Sequence, residues 1–124
     1  MPKRIKTFQG KAVHYIETTF PNEDVECDIY EFENDKSRDL AVIEVNPNAK
    51  TPLQKVKKGD VTIEGFISGS GVLTVNGKSH GFAGFDEIVV HISDVMQWTA
   101  GNYGLVFYEI CEPPYTIDRF ELVE

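Results

Sequence analysis

Apolar and polar residues alternate over short stretches of this chain, and Gly, Pro, Asn and Asp interrupt them at intervals typical of strands. No stretch has the apolar spacing of an amphipathic helix. The pattern predicts strands over residues 12–17, 25–33, 40–46, 60–68, 72–76, 78–82, 86–92, 95–99, 104–112 and 117–123. Many short strands without helices indicate an all-β sandwich or barrel.

Several turn signals support this pattern. Asn76-Gly77 suits a type I′ hairpin turn, because both central residues of that turn need a positive φ. Asn48 suits a left-handed turn position, and Pro113-Pro114 should end the strand before it because neither residue offers an amide donor. Within residues 25–33 the apolar positions change parity after Ile29, which predicts a β-bulge there.

Composition limits the classes of function. The chain has 124 residues, which we expect to form one domain over residues 1–124. Its net charge of -8 argues against nucleic acid or anionic membrane as a partner. No apolar run is long enough to span a bilayer, and no secretory signal is evident, so we expect a cytoplasmic protein with reduced Cys27 and Cys111.

Four segments resemble the cupin family. They read VNPNAKTPL, GFISGSGVLTVNGK, FDEIVVHISDVMQWTAG and GLVFYEICEPPY, in the order typical of cupins. The resemblance covers roughly residues 43–115, and residues 1–42 would add N-terminal strands. It implies a double-stranded β-helix, the jelly-roll barrel, with little or no helix.

The resemblance also implies a metal site that this sequence lacks. Cupins usually hold a divalent metal with two histidines one residue apart, a glutamate and a third histidine. Alignment on residues 51–53 puts Gln54 and Val56 at the paired positions, whereas alignment on Gly69 puts Lys55 and Lys57 there. The alternatives differ by one residue, and both remain open.

The other metal positions are also altered. Alignment on Gly69 puts Thr62 at the glutamate position, and the third histidine falls near Gln97. Amides and ammonium groups are poor ligands for these metals. The resemblance therefore predicts a protein without a metal or other cofactor.

The remaining polar candidates allow two interpretations each. Lys55, Lys57 and Lys58 are either an exposed strand edge or a cationic lining for an anionic ligand. His91 lies in the apolar run IVVHI, where a buried histidine is expected, while His80 should be at the surface and His14 is far from both in sequence.

The strand around Glu64 gives conflicting signals. The resemblance implies that Thr62, Glu64 and Phe66 line the barrel, whereas burial alone would turn Ile63 and its apolar neighbours inward. Both hold if the outer face is covered as well, and for this reason we expect a homodimer.

These observations favour a metal-independent small-molecule binder, with a sugar derivative or small anion inside the barrel. The alternatives are a metal-independent isomerase or epimerase acting on a sugar-like substrate, and a structural or dimerisation module with a filled barrel. The predicted ligand-binding residues are Gln54, Lys55, Lys57, Thr62, Glu64, Gln97, Trp98 and Tyr108.

Overall fold

A computed structural model of the protein describes residues 4–57, 61–81, 87–114 and 120–123. Within these ranges the chain forms strands and no helix. The strands are β1 (Thr7–Phe8), β2 (Lys11–Asn22), β3 (Val25–Phe32), β4 (Asp35–Val45), β5 (Gln54–Val56), β6 (Val61–Val75), β7 (Lys78–Gly81), β8 (Glu87–Val90), β9 (Val95–Glu112) and β10 (Phe120–Leu122). No helix in the described residues is long and apolar enough to cross a membrane.

The two longest strands, β6 and β9, connect two sheets. They pair antiparallel from Val61–Glu112 to Val75–Met96. The first sheet has the order β1-β2-β3-β4-β9-β6-β8 and uses the C-terminal half of β9 with the N-terminal half of β6. The second sheet has the order β10-β5-β9-β6-β7 and uses the other half of each strand. This is the predicted jelly-roll barrel.

Glycines allow β6 and β9 to turn from one sheet into the other. Gly69 and Gly104 face each other at this corner with φ values of 88° and 75°, which favour glycine. A Cβ atom on Gly69 would lie 2.3 Å from the carbonyl oxygen of Gly104. Register shifts flank Gly69 on both sides, as expected where a strand bends sharply.

Both faces of the first sheet carry buried apolar residues. Its inner face packs against the second sheet, and the two together form the inner cluster of Val25, Ile43, Val45, Val56, Leu73, Val90, Met96, Trp98, Ala100, Leu105 and Phe107. The outer cluster lies on the opposite face and consists of Val13, Tyr30, Phe32, Leu40, Tyr108 and Ile110.

The N-terminal segment covers part of the outer face. Ile5 and Phe8 pack against the outer cluster, and the Ile5 amide donates a hydrogen bond to the Tyr30 hydroxyl at 3.3 Å. The Arg4 guanidinium lies over the Tyr15 ring at 3.8 Å. The two interpretations of the strand around Glu64 therefore hold together, because Ile63 packs outward and Glu64 inward within one chain.

The β-bulge predicted in β3 is absent. The register of β3 with β4 runs unbroken from Val25 to Glu31, so the apolar residues after Ile29 lie on the outer face. The apolar pattern of β3 changes parity because each face of the strand contributes to a buried cluster. Register shifts occur instead between Glu31 and Phe32 in this pairing, and at Tyr15/Glu17 and Thr19/Asn22 in the pairing of β2 with β3.

The turn predictions are confirmed. Asn76 and Gly77 have φ values of 52° and 80°, and Asn48 has a φ of 62°. Strand β9 ends at Glu112, immediately before Pro113. The short strands β1 and β5 were not predicted. Parts of the predicted strands at 60, 82, 86 and 117–119 lie outside the described residues, as does Lys58.

The structure corrects the prediction for His91. Strand β8 ends at Val90, so His91 begins an exposed turn, and its amide donates a hydrogen bond to Asp94 Oδ2 at 2.9 Å. His14 is exposed and pairs with Glu33 at 3.0 Å. Both cysteines are free thiols; they lie on β3 and β9, which β4 separates.

Candidate functional site

A partly enclosed cavity of about 80 Å³ lies between the two sheets. Its walls are mostly apolar, with polar groups from both sheets. The lining residues are Thr19, Pro21, Val25, Cys27, Ile29, Asp39, Ala41, Ile43, Thr51, Pro52, Gln54, Glu64, Met96, Trp98, Phe107, Glu109 and Cys111. None of them is Lys or Arg, so the lining carries carboxyl groups without a cationic side chain among the described residues.

Trp98 closes one wall of this cavity. Its ring stacks on Phe107 with centroids 4.4 Å apart and an interplanar angle of 19°. Its indole Nε1–H donates a hydrogen bond of 2.8 Å to Glu64 Oε1, which connects the second sheet to the first. The Trp98 backbone is fixed in turn by Thr51, whose amide donates to the Trp98 carbonyl at 3.0 Å and whose Oγ1 accepts from the Trp98 amide at 3.0 Å.

Glu64 and Glu109 lie directly opposite each other on β6 and β9. Directly opposed residues of an antiparallel pair have Cβ atoms about 4.5–5.5 Å apart, and like charges there are unfavourable. Both side chains are buried. The Cys111 thiol donates a hydrogen bond to Glu109 Oε1 at 3.4 Å, and on its other side Glu109 pairs with the small residue Ala41.

The negative charge of the cavity also affects Cys27. Burial, followed by the charge of Glu109, raises the pKa of the Cys27 thiol from 9.0 to about 12. A thiol in this state is protonated at neutral pH and is a poor nucleophile. The surroundings of Cys27 therefore do not support thiol chemistry in this cavity.

Four of the predicted residues lie in the interior. Gln54, Glu64 and Trp98 line the cavity, and Thr62 is fully buried on the same strand as Glu64. Their role in ligand binding remains a prediction. For Thr62 and Glu64 the resemblance to cupins predicted which side of β6 faces inward, whereas Gln54 was one of two open alternatives.

The prediction that Lys55 and Lys57 line the barrel is wrong. Both are exposed, whereas Val56 between them is buried in the inner cluster. Successive residues of a strand point to opposite faces, so Gln54 and Val56 occupy the positions of the paired histidines. The alignment on residues 51–53 is therefore the correct alternative, and neither Lys55 nor Lys57 contributes a cationic lining.

Gln97 and Tyr108 also lie elsewhere than predicted. Gln97 follows the inward-facing Met96, and its Nε2 donates a hydrogen bond to the Thr51 carbonyl at 2.9 Å. Tyr108 belongs to the outer cluster, and its hydroxyl donates a hydrogen bond to Glu87. Burial, followed by this hydrogen bond, raises the pKa of Tyr108.

Six residues of the cavity with polar groups or thiols were absent from the predicted set: Thr19, Cys27, Asp39, Thr51, Glu109 and Cys111. The alternation of β9 shows that only one of Tyr108 and Glu109 can face inward, but not which one. The pairing of Glu109 with Glu64 identifies Glu109 as the inward-facing residue. That pairing could not be read from the sequence, because it joins two strands that are far apart along the chain.

The residues at the cupin metal positions do not fit a metal. Gln54 and Val56 replace the paired histidines, and Met96 and Trp98 are the inward-facing residues around the third. No group of three or more His, Cys, Asp or Glu side chains among the described residues is arranged to hold a metal ion.

No protein-family model matches the sequence, and a comparison with curated proteins finds no match. Solved structures do resemble the fold. Rru_A2000 from Rhodospirillum rubrum, described as a cupin-2 domain, is 16% identical with a TM-score of 0.71, over 98% of this chain and 81% of that one.

Two further structures share the fold. Streptomyces PAC13, crystallised with uridine, is 15% identical with a TM-score of 0.71, over 95% of this chain and 92% of that one. KdgF from Halomonas sp. is 10% identical with a TM-score of 0.67, over 83% of this chain and 90% of that one. At these identities the likeness concerns the fold.

Proposed function

Because the chain has the cupin fold, we propose that it binds a small polar molecule inside its barrel without the help of a metal. The observation that carries this proposal is the cavity between the sheets, where Glu64, Glu109 and Gln54 meet an aromatic wall. Binding sites typically combine apolar walls with a few placed polar groups. The cavity is also the reason to set aside a barrel filled by its own side chains.

The lining favours a ligand that donates hydrogen bonds, such as a sugar derivative. Carboxylates only accept hydrogen bonds when ionised, and buried carboxylates disfavour an anion. The sequence also allowed an anionic ligand, an interpretation that depended on Lys55, Lys57 and Lys58; the first two are exposed, and Lys58 lies outside the described residues. The volume of about 80 Å³ lies below the ~300–1,000 Å³ of most small-molecule pockets, which favours a ligand of few atoms.

A structural neighbour supports the same class of ligand. Streptomyces PAC13 is crystallised with uridine, a neutral nucleoside whose ribose carries hydroxyl groups. By analogy of fold, we expect a hydroxyl-rich molecule as the class of ligand for this barrel.

Trp98 provides a direct test of binding. It is the only tryptophan of the chain and lines the cavity, so its fluorescence reports events there. We expect a saturable change when small neutral polyols such as glycerol, or neutral monosaccharides, are titrated, confirmed by calorimetry. The variant Ala41→Leu should fill the cavity and abolish the change, whereas Val42→Leu, on the outer face of the same strand, should bind normally.

Thermal melting must first show that both variants are folded. Equal binding by folded Ala41→Leu and wild type would place the ligand elsewhere. If no charged or neutral small molecule binds saturably to the wild type, the proposal is overturned.

A second candidate function is proton transfer by a metal-independent isomerase or epimerase. It is favoured by the pairing of Glu64 with Glu109, since two carboxyl groups facing one cavity can supply an acid and a base. Incubation with neutral reducing sugars in deuterated water should then exchange the hydrogen next to the carbonyl, and Glu109→Gln should stop the exchange. Exchange at the buffer rate would exclude this candidate for those sugars.

We also propose that the chain acts as one domain and forms a homodimer through the outer face of the first sheet. Val89 is 46% exposed and lies beside Ile63 there, and Ile67 on β6 is 42% exposed. Light scattering should give twice the chain mass for the wild type and the chain mass for Val89→Glu. Leu122→Glu is the control at another exposed apolar residue, and it should stay a dimer. A monomeric wild type would contradict the dimer.

The proposed location is the cytoplasm. Cys27 and Cys111 are free thiols on strands that are not neighbours, which is consistent with a reducing compartment.

A further inference from the structure

Glu109 differs from Glu64 in how its carboxylate is satisfied. Glu64 is fully buried and accepts the indole N–H of Trp98 at 2.8 Å. Glu109 is 8% exposed, and within the described part of the chain the only donor to its carboxylate is the Cys111 thiol, at 3.4 Å. A thiol is a weak donor. A buried carboxylate therefore faces the cavity without a strong hydrogen-bond partner.

Such a carboxylate is costly to bury unless a partner compensates for the lost water. The neighbours of Glu109 in the sheet cannot provide one, because Ala41 on one side is apolar and Glu64 on the other is acidic. Asp39 also lines the cavity, and no lining residue in the described ranges is a Lys or Arg. Among the described residues no side chain supplies this partner, so a molecule in the cavity is the candidate for it.

We propose that the ligand carries a protonated amine and that Glu109 is the residue that selects it. The ammonium group would donate to Glu109, while hydroxyl groups of the same molecule would face Gln54 and the Trp98 wall. Hydrogen bonds to charged groups are stronger than those between neutral groups, so the amine should dominate selectivity. This inference rests on the proposed function and specifies its class of ligand.

The electrostatic surroundings agree with this assignment. The charges of Glu109 and Asp39 both raise the pKa of the nearby Cys27 thiol, after the larger effect of burial. The interior therefore disfavours an additional negative charge and favours a positive one.

Two series of matched compounds test the inference. Glycerol, serinol and glycerate differ chiefly in charge, as do glucose, glucosamine and glucuronate. Calorimetry and Trp98 fluorescence should show the amine of at least one series binding at least about tenfold more tightly than its neutral counterpart. The acids should bind more weakly than the neutral compounds.

The variant Glu109→Gln keeps the shape of the side chain and removes its charge. We expect the preference for the amine to fall to about onefold, whatever the change costs in affinity for the neutral compound. The matched control is Glu44→Gln, on the exposed face of the adjacent strand β4, which should keep the preference.

The outcomes separate the inference from the proposed function. Equal binding of neutral and amine compounds by the wild type would overturn the role of Glu109 and leave the binding site standing. Failure of every compound to bind would count against the proposed function itself. Because the wild type alone gives both results, a poorly folded variant would not affect the conclusion.

Discussion

At the scale of single residues, the interior of the barrel changes the chemistry of the side chains that it encloses. Cys27 illustrates this, since burial and the charge of Glu109 raise the pKa of its thiol to about 12. A thiol near pKa 9 would be partly ionised in mildly alkaline solution. The folded chain keeps Cys27 protonated there, and this difference from the unfolded chain couples stability to pH.

The pH dependence of stability follows from this difference. Below about pH 9 the thiol is protonated in both states, and its contribution to stability is complete. Between about pH 9 and about pH 12 the unfolded thiol ionises and the folded one does not, so the free energy of unfolding should fall by up to about 1.4 kcal/mol per pH unit. Urea unfolding at about pH 8 and about pH 10.5 measures the slope.

The variants Cys27→Ala and Cys27→Ser serve as controls, because neither side chain ionises in this range. Both should reduce the slope, whatever they cost in stability at neutral pH. Parallel profiles for wild type and variants would show that the thiol is not the source of the effect.

Gly65 shows how close packing fixes a residue on the outer face. A Cβ atom there would lie 2.2 Å from Tyr108 Cζ, and Tyr108 is held by Phe8 and by its hydrogen bond to Glu87. Gly65→Ala should therefore destabilise the protein by about 1–3 kcal/mol in chemical denaturation. Combining it with Tyr108→Leu should cost less than the sum of the two single changes, whereas additive effects would contradict this steric account.

At the scale of elements, the corner at Gly69 and Gly104 determines where β6 and β9 change sheets. The corner combines a positive φ at both glycines with a contact between their backbones. Side chains cannot be added there without displacing the backbone, and this makes the corner a structural requirement of the barrel.

Gly69→Ala should be among the more destabilising of the glycine substitutions. The added Cβ would lie 2.3 Å from the Gly104 carbonyl oxygen, and the φ of 88° is unfavourable for alanine. We expect a loss of at least about 2 kcal/mol, measured by thermal or urea unfolding. The matched control is Gly81→Ala, where no atom lies within 4 Å of the new Cβ; a similar loss in both variants would argue against the corner.

Elements were largely predictable from the sequence, and the site only in part. Alternation and turn residues such as Asn76-Gly77 depend on local physics, and they located most strands. Whether Gln54 or Lys55 faces inward depends on the register of β5 with β9, because a shift of one residue reverses the faces of a strand. Glu109 was missed because its partner Glu64 lies on a strand distant in sequence.

At the scale of the whole molecule, the N-terminal segment acts as a cover for the outer face. Phe8 contacts the Tyr108 ring edge-on with centroids 4.8 Å apart and packs against the outer cluster. This cover explains how a sheet with two apolar faces can belong to a single chain. On the same face, Val89 stays exposed beside Ile63.

Removing the Phe8 side chain tests the cover. Phe8→Ala should lower the free energy of unfolding by about 1–3 kcal/mol, because it leaves a void over Tyr108. Phe20→Ala is the matched control, since Phe20 is 65% exposed and its loss should change stability by less than about 0.5 kcal/mol. If Phe8→Ala changed the free energy of unfolding as little as Phe20→Ala does, the N-terminal segment would contribute little to stability.

The sharing of β6 and β9 between the sheets has a consequence for folding kinetics. Their pairing begins at Val61 with Glu112, and neither sheet can be completed before both strands are in place. Chains dominated by such distant contacts fold slowly, on a scale of about milliseconds to seconds. The amides of β6 and β9 should therefore exchange with solvent together and last, since opening either sheet removes a strand from the other.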